Sequence, residues 1–227
     1  MAITLYERQG HEGRRPSPYA LAHKGLEATF VGMRFAQADE VRALSGQTLV
    51  PVLVDGETVV PDSWAITEHL ERAYPDRPSL FGGDAGHVLA RFVNAWTDES
   101  LNPTVRALIY PDFIACIDEG DRDYFRRARE ASLGRKLEEF SSDRQRQQET
   151  LAGTLSPLRK VLEKSQFFCG SAPAYADYVV FSAFQWARLG CPRDILPLQD
   201  SLRLWRERMI SLYDRMADLF PGYPGRA

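Results

Sequence analysis

The chain has 227 residues, 44% hydrophobic and 26% charged, enough apolar material for one large or two small cores in a folded soluble protein. A formal net charge of -3 supplies no global basic field for nucleic acid, and no apolar run approaches the roughly 20 residues that span a bilayer. Met1 to Glu7 lacks a basic n-region and a long apolar stretch, so it reads as a strand and not as a signal peptide. The three cysteines, Cys116, Cys169 and Cys191, are odd in number and widely spaced, with no CxxC and no zinc pattern. They are expected to be small core residues in a reducing cytoplasm, with no metal.

In chain order, Ile3 to Glu7 is a strand, and the polar stretch from Arg8 to Arg15, with Gly10 and Gly13, is a loop. Ser17-Pro18-Tyr19 opens a helix, with Ser17 as N-cap and Pro18 at the first helical position. Lys24 suits its last turn and Gly25 ends it. Glu27 to Phe35 is a second strand, and Asp39 to Leu44 a short helix before the Ser45-Gly46-Gln47 turn. Val50 to Val54 is an apolar run. Asp55-Gly56 predicts a type I′ hairpin, and Val59-Val60 continues into the second strand, which Pro61 closes. Asp62 or Ser63 caps a helix whose Ile66, Leu70 and Ala73 share a face. The order β-α-β-(α)-β-β-α is the thioredoxin-like arrangement.

Two prolines and two glycines in Tyr74 to Gly83 mark a linker. Everything after it reads as helical. Leu89, Phe92 and Trp96 are spaced by three and four, and Pro103 should break or kink that helix. Leu151, Leu155, Leu158 and Leu162 form a buried stripe, as do Leu202, Trp205, Met209, Leu212, Met216 and Leu219. The run Asp121 to Glu130 mixes both signs and reads as a solvated helix face. Residues 1–78 are thus expected to form a thioredoxin-like α/β domain, 79–88 a linker, and 89–227 an all-α helical-bundle domain, an α+β chain overall.

The Val-Pro before a hairpin and the Asp62-Ser63 pair at a helix start resemble the glutathione-binding half of the glutathione S-transferase superfamily. The resemblance implies a cis bond before Pro51. It implies that the backbone of Val50 pairs with the cysteinyl part of glutathione and that Asp62 and Ser63 hold its γ-glutamyl end. Elementary chemistry agrees, since helix-start N–H groups attract a carboxylate and an aspartate accepts from an ammonium. Gln47 is placed to reach the glycyl carboxylate, and Arg14 and Arg15 to add positive potential near the thiol. Ser17-Pro18-Tyr19, Ala20 to Gly25, Asp62-Ser63-Trp64, Asp121 to Tyr124 and Ala176-Asp177-Tyr178 narrow the resemblance to the bacterial branch similar to lignin β-etherases. The family also carries a capping box here. Asp177 matches it and Ala174 does not, an absence expected to cost about 1 kcal/mol.

Glutathione transfer needs a thiolate, and a free thiol with a pKa of about 8.5 is only a few per cent ionised near neutrality. Ser17, after the first loop and at the first helix, is the expected catalytic residue, donating its hydroxyl to the sulfur. Redoxins of this fold place Cys-Pro-Tyr-Cys at this point, and the serine here excludes dithiol chemistry. Tyr6 is the competing hydroxyl, though its strand position favours packing. The segment between Ser-Pro-Tyr and the Lys24-Gly25 helix end is shorter than in related proteins, so this helix has about two turns. A register that kept full length would place His11 at the catalytic position but force Pro16 and Pro18 into the helix at roughly 3 kcal/mol for an interior proline. The electrophile pocket is expected between the domains, formed by the first loop and the helices after the linker; Trp96, Tyr110, Phe113 and Trp186 are candidates only by being aromatic, and core packing is the favoured reading of each. The expected function is transfer of glutathione to a small hydrophobic electrophile, aromatic or ether, by a cytoplasmic homodimer. The alternative is a non-catalytic module for ligand carriage or assembly on the same fold.

Overall fold

The computed structural model describes residues 2–9, 14–220 and 223. Strand β1 (Ile3–Arg8) alternates buried and half-buried side chains, the period-two signature of a strand covered unequally on its two faces. Helix α1 (Ser17–His23) crosses to β2 (Thr29–Met33), which pairs parallel to β1. A single 3-10 turn leads into α2 (Ala38–Ser45), which Gly46 ends at φ 77°, the left-handed conformation glycine adopts freely. The antiparallel hairpin of β3 (Val52–Asp55) and β4 (Thr58–Pro61) completes a sheet of order β2-β1-β3-β4. Pro61 ends an edge strand, where a missing N–H costs no ladder bond.

The hairpin turn lies one residue later than the type I′ expectation. Asp55 pairs with Thr58, so Gly56 and Glu57 form the loop. Only Gly56, at φ 61°, takes a positive φ. A type I′ turn needs two such residues, whereas glycine at the first central position suits type II′.

Ile3, Leu5 and Leu53 lie on one sheet face in the main core, and Tyr6, Met33 and Val52 pack on the other against Val41 of α2. Helix α3 (Ser63–Ala73) follows β4, and its Glu71 meets the buried Lys24 ammonium at 2.6 Å, tying the end of α1 to α3. The main core continues without a break from this sheet into the helical half.

The connector 74–83 leads to α4 (Asp84–Trp96). Pro103 neither stops nor sharply breaks the helical path. A π-helical turn at Thr97–Leu101 absorbs it, and α5 (Asn102–Phe113) restarts with Pro103 in its first turn, where its missing N–H is harmless. Helices α6 (Glu119–Leu133), α7 (Arg144–Thr154) and α8 (Ser156–Leu162) follow, and α9 (Tyr175–Gly190), packed chiefly against α4 and α5, is buried along nearly its whole length. Gly190 is required there: a Cβ would stand 2.3 Å from Phe113. Asp177 lies buried at the start of α9. Its carboxylate accepts the backbone N–H groups of Phe168 at 2.8 Å and Cys169 at 3.2 Å, the Trp205 indole N–H at 3.0 Å, and the Ala174 N–H at 3.3 Å.

Leu151, Leu155 and Leu158 are buried as their spacing requires, and so are Leu202, Trp205 and Met209 of α10 (Leu202–Ile210). The second stripe fails at its end, where Leu219 is exposed. Tyr213, Asp214 and Arg215 take positive φ of 52°, 53° and 61°, and this reversal of hand ends the 3.6-residue register. The charge run 121–130 is not wholly solvated either: Asp121 and Phe125 are buried on α6. No helix of the described residues is long and apolar enough to cross a membrane.

Candidate active site

The β3–β4 register sets Val52 opposite Pro61, and so brings Val50-Pro51 beside Asp62-Ser63. The Val50-Pro51 bond is cis. The Asp62 N–H donates to the Pro51 carbonyl at 3.2 Å. Asp62, not Ser63, is the N-cap of α3: its Oδ1 accepts from the N–H groups of Trp64 at 2.9 Å and Ala65 at 3.1 Å. Its φ of 76° is one a side chain rarely adopts, at a cost of about 1–3 kcal/mol. The cap and the Pro51 contact hold it from both sides. The side chain of Asp62 remains exposed and that of Ser63 half-buried. Four residues expected to hold glutathione, Val50, Pro51, Asp62 and Ser63, thus converge. Gln47 lies just before them, half-buried, with its amide donating to the Leu49 carbonyl at 3.1 Å.

The start of α1 differs from expectation. Pro16, not Ser17, occupies the N-cap, and Ser17 is the first helical residue with no capping hydrogen bond from its side chain. Pro16 already has near-helical angles of φ -72° and ψ -16°, and its carbonyl accepts the Ala20 N–H at 3.0 Å, so the helix begins one residue earlier. Ser17 is fully buried, and its Oγ has no hydrogen-bond partner among the described residues. Tyr19 anchors the helix. It is buried, its hydroxyl accepts from the Gln185 amide at 3.1 Å, and its ring meets Tyr178 and Phe181 of α9. Tyr6 packs on the α2 side of the sheet. His11 lies outside the described residues.

Beside Pro51 is a cavity of about 70 Å³ whose walls include Val50, Arg8, Arg14, Arg15 and Arg129. Arg14 and Arg15 therefore do stand at the site, with the Arg14 guanidinium 4.1 Å over the Trp186 ring. Burial, followed by the charge of Arg15, pushes Arg14 well below the usual arginine range. The expected aromatic electrophile pocket is not built as such. Tyr110, Phe113 and Trp186 are buried against one another, with Tyr110 and Phe113 centroids 5.8 and 6.2 Å from Trp186. They form core, and Arg14 covers the Trp186 face. Trp96 is half-buried.

Sequence reasoning missed Arg8, Arg129 and Asp98. Arg129 follows Asp121 and Phe125 at spacings of four, the one signal in the charge run that marked an inward face. Asp98 sits in the π-helical turn, a form frequent at functional sites. Its carboxylate accepts from the Asn94 and Asn102 amides at 2.9 and 3.1 Å. Burial raises its pKa, Arg15 opposes the rise, and Asp62 adds to it, which places Asp98 within electrostatic reach of the Asp62 end. Burial pushes the Cys116 thiol up to about 11, and Cys169 is exposed where a core residue was expected.

A thioredoxin-like sheet with a cis-proline facing a capped helix start, packed on a helical half, is the two-part architecture of glutathione transferases. The family model for the glutathione S-transferase C-terminal domain matches residues 88–218, and that for the N-terminal domain matches residues 18–78. The chain belongs to the glutathione S-transferase family. It is 24% identical over 162 residues to the glutathione S-transferase-like protein ustS of Aspergillus flavus, covering 65% of this chain and 54% of that protein. It is 35% identical over 65 residues to glutathione S-transferase Z1 of Arabidopsis thaliana, 27% of this chain and 29% of that protein. The matched stretches thus span about half of the first relative and under a third of the second. Among solved structures, glutathione transferase GSTFuA3 from Phanerochaete chrysosporium superposes with a TM-score of 0.73 at 23% identity, covering 97% of this chain and 94% of that one. The glutathione S-transferase CsGST63524 of Ceriporiopsis subvermispora, in complex with glutathione, gives 0.73 at 20%, covering 96% and 94%. A glutathione S-transferase from Rhodospirillum rubrum F11 gives 0.74 at 22%, covering 99% and 95%. At these identities the likeness is one of fold.

Proposed function

We propose that the chain binds glutathione along Val50, Pro51, Asp62 and Ser63, with Gln47 at the glycyl end, and transfers its thiolate to a hydrophobic aromatic or ether electrophile. The observation that carries this reading is the Pro51–Asp62 junction. The Asp62 N–H donates to the Pro51 carbonyl, while its exposed side chain caps α3. That puts a carboxylate and a helix start beside the backbone edge at Val50, the arrangement a zwitterionic peptide needs.

Ser17 donates to the sulfur in this reading. Its buried hydroxyl, without a partner among the described residues, is a donor the fold otherwise leaves unused. The thiol loses its proton to solvent, and the sulfur lone pair forms the S–C bond. The bond to the leaving group breaks with its electron pair. In the etherase-like form of this reaction, a detoxification chemistry, the leaving group is an aryloxide. The protein acts in the cytoplasm as a homodimer. The exposed Val88, Leu89 and Phe92 on α4 support association, since a contiguous apolar surface favours a partner.

A second reading, a non-catalytic ligand or assembly module, is favoured by the two-turn α1 and by the burial of Ser17. A glutathione titration followed by ultraviolet thiolate absorbance near neutral pH, with Ser17→Ala alongside, separates the two. Saturable thiolate formation that the variant loses supports the transferase with Ser17 as activator. Binding without thiolate removes Ser17 from the mechanism, and no binding leaves the module.

A further inference from the structure

We propose that the cavity beside Pro51 is an anion subsite for a carboxylate or similarly small oxyanion of the electrophile, so that the preferred substrate is an organic acid. Its transfer step rests on the transferase reading above; the subsite itself does not.

Four guanidinium groups and one carboxylate, Glu7, line a space of about 70 Å³. A cavity needs only about 10–15 Å³ on this measure to hold a water, so the space takes a small oxyanion. The cations come from distant parts of the chain: Arg8 from the end of β1, Arg14 and Arg15 from just before α1, and Arg129 from α6. Three are held over aromatic faces. Arg8 lies 4.1 Å from the Phe35 centroid, Arg14 4.1 Å from Trp186, and Arg129 5.4 Å from Phe125. Such stacking fixes the plane of a guanidinium; the Arg8 Nη1 donates to the Met33 carbonyl at 3.0 Å, and the rest of the edge faces a planar anion.

The cluster sets four guanidinium groups against the single carboxylate of Glu7. The Arg129 Nε is buried with no hydrogen-bond partner among the described residues, and a donor in that state is worth a ligand. Arg8 and Arg14 are both pushed down, first by burial, and each is lowered further by Arg15 and Arg129. Asp121 opposes the shift at Arg8, but it accepts the Phe35 N–H at 3.2 Å and faces Arg34 at 3.6 Å. An added anion relieves the mutual repulsion of the arginines.

Position decides what the anion belongs to. Val50 and Pro51 form part of the wall, so the anion stands next to where the cysteinyl sulfur is expected. Arg129 belongs to α6 of the helical half, the side on which the electrophile pocket is expected. Gln47, Asp62 and Ser63, the expected contacts of the two glutathione ends, are not in the wall. The alternative source of the same chemistry is the glycyl carboxylate of glutathione.

The test uses para-(chloromethyl)benzoate and its methyl ester as electrophiles, with wild type, Arg129→Gln and Arg15→Gln. In each, the glutathione sulfur displaces chloride from the benzylic carbon. Wild type is expected to prefer the acid over the ester by about tenfold or more in kcat/KM, the scale of one charge-assisted bidentate contact. Each variant should shrink that ratio at least about fivefold. Equal kcat/KM for acid and ester in wild type overturns the proposal. So does a variant that weakens the calorimetric glutathione Kd while leaving the ratio intact, because the anion is then the glycyl carboxylate. If neither compound turns over, the transferase reading fails, and calorimetry with para-toluate still reads the subsite. Saturable toluate binding that Arg129→Gln loses upholds it, and no binding overturns it.

Discussion

Two helix starts of the sheet half are built on opposite terms. The start of α3 is specified within sixteen residues of chain: a hairpin delivers Pro51 to Asp62, and Asp62 caps its own helix at 2.9 and 3.1 Å. The start of α1 has no side-chain cap, and what holds the helix is remote, the Tyr19–Gln185 hydrogen bond spanning 166 positions. A locally closed unit tolerates drift in the rest of the protein. A start held by tertiary contacts moves when those contacts move. The proposed cradle for glutathione is therefore set locally, while the place of Ser17, the proposed activator, depends on how α1 docks.

The largest expected effect breaks the α3 side. Asp62→Asn keeps the cap, since asparagine caps as well as aspartate, but removes the charge that meets an ammonium. Charge-assisted hydrogen bonds are worth about 1.5–3 kcal/mol, so the glutathione Kd should weaken about 10- to 100-fold while the melting temperature stays within about 2 °C. Asp62→Ala should lose the affinity and, in addition, about 1 kcal/mol of stability. An unchanged Kd in Asp62→Asn, read by calorimetry, would place the γ-glutamyl ammonium elsewhere.

The next breaks the α1 side. Tyr19→Phe removes the acceptor of the Gln185 amide, buried at 3.1 Å, and leaves that donor unsatisfied at a cost of about 1–2 kcal/mol. For a chain of this size the melting temperature should fall by roughly 2–8 °C. A urea midpoint that does not move would mean α1 is held by ring packing alone, and the contrast between the two starts would weaken.

A third helix start sharpens the comparison. At α9, Asp177 accepts the Ala174 N–H, but Ala174 returns nothing from its side chain. Sequence alone sets the gain from Ala174→Ser at about 1 kcal/mol. The Asp177 N–H already donates to the Ala174 carbonyl at 2.9 Å, so about 0.5 kcal/mol is expected, the low end for a cap. Differential scanning calorimetry resolves the resulting rise of 1–2 °C, roughly estimated. No rise would mean that the backbone bond meets the whole demand.

These three starts also show which parts of the molecule were legible in the sequence. The Pro51–Asp62 unit was, because turn chemistry and capping are properties of neighbours. Even there the hairpin turn slipped by one residue, since strand pairing and not the dipeptide set the register. The two-turn length of α1 could be read, but not the burial of Ser17, since burial is set by the elements packed around a residue and not by its neighbours in sequence. Arg129 and Asp121 hid inside a run of charges whose average is solvent-like. Their inward face is decided by Phe35 and Arg34, some 90 positions away in the other half, as the Asp121–Phe35 bond shows. The end of the last stripe failed for a backbone reason, the positive φ at Tyr213 to Arg215, which a hydrophobic pattern does not record.

The smallest effect concerns the far end of α1 and appears only as a pH dependence. His23 sits in the last turn, with Nε2 at 3.0 Å from the Ser79 carbonyl and Nδ1 at 2.7 Å from the Tyr178 hydroxyl. A carbonyl only accepts, so Nε2 carries the proton and Nδ1 accepts from Tyr178. Burial lowers the His23 pKa, with the Ser79 carbonyl opposing the shift and Lys24 adding to it. The folded chain thus holds fewer protons than the unfolded one just below the unfolded value of about 6.5. Stability therefore rises with pH across that window. The contribution is fully present above pH of about 6.5 and is lost as pH falls toward the lowered folded value. Protonation would make Nδ1 the donor to the Tyr178 oxygen, whose O–H would turn to its other partner, Tyr213, and would leave a charged imidazolium in a mostly buried site between α1 and α9. Urea midpoints at pH of about 7 and about 5 should fall further for wild type than for His23→Gln. Equal slopes would mean that His23 titrates alike in the folded and unfolded chain, and that the α1 docking is insensitive to its charge.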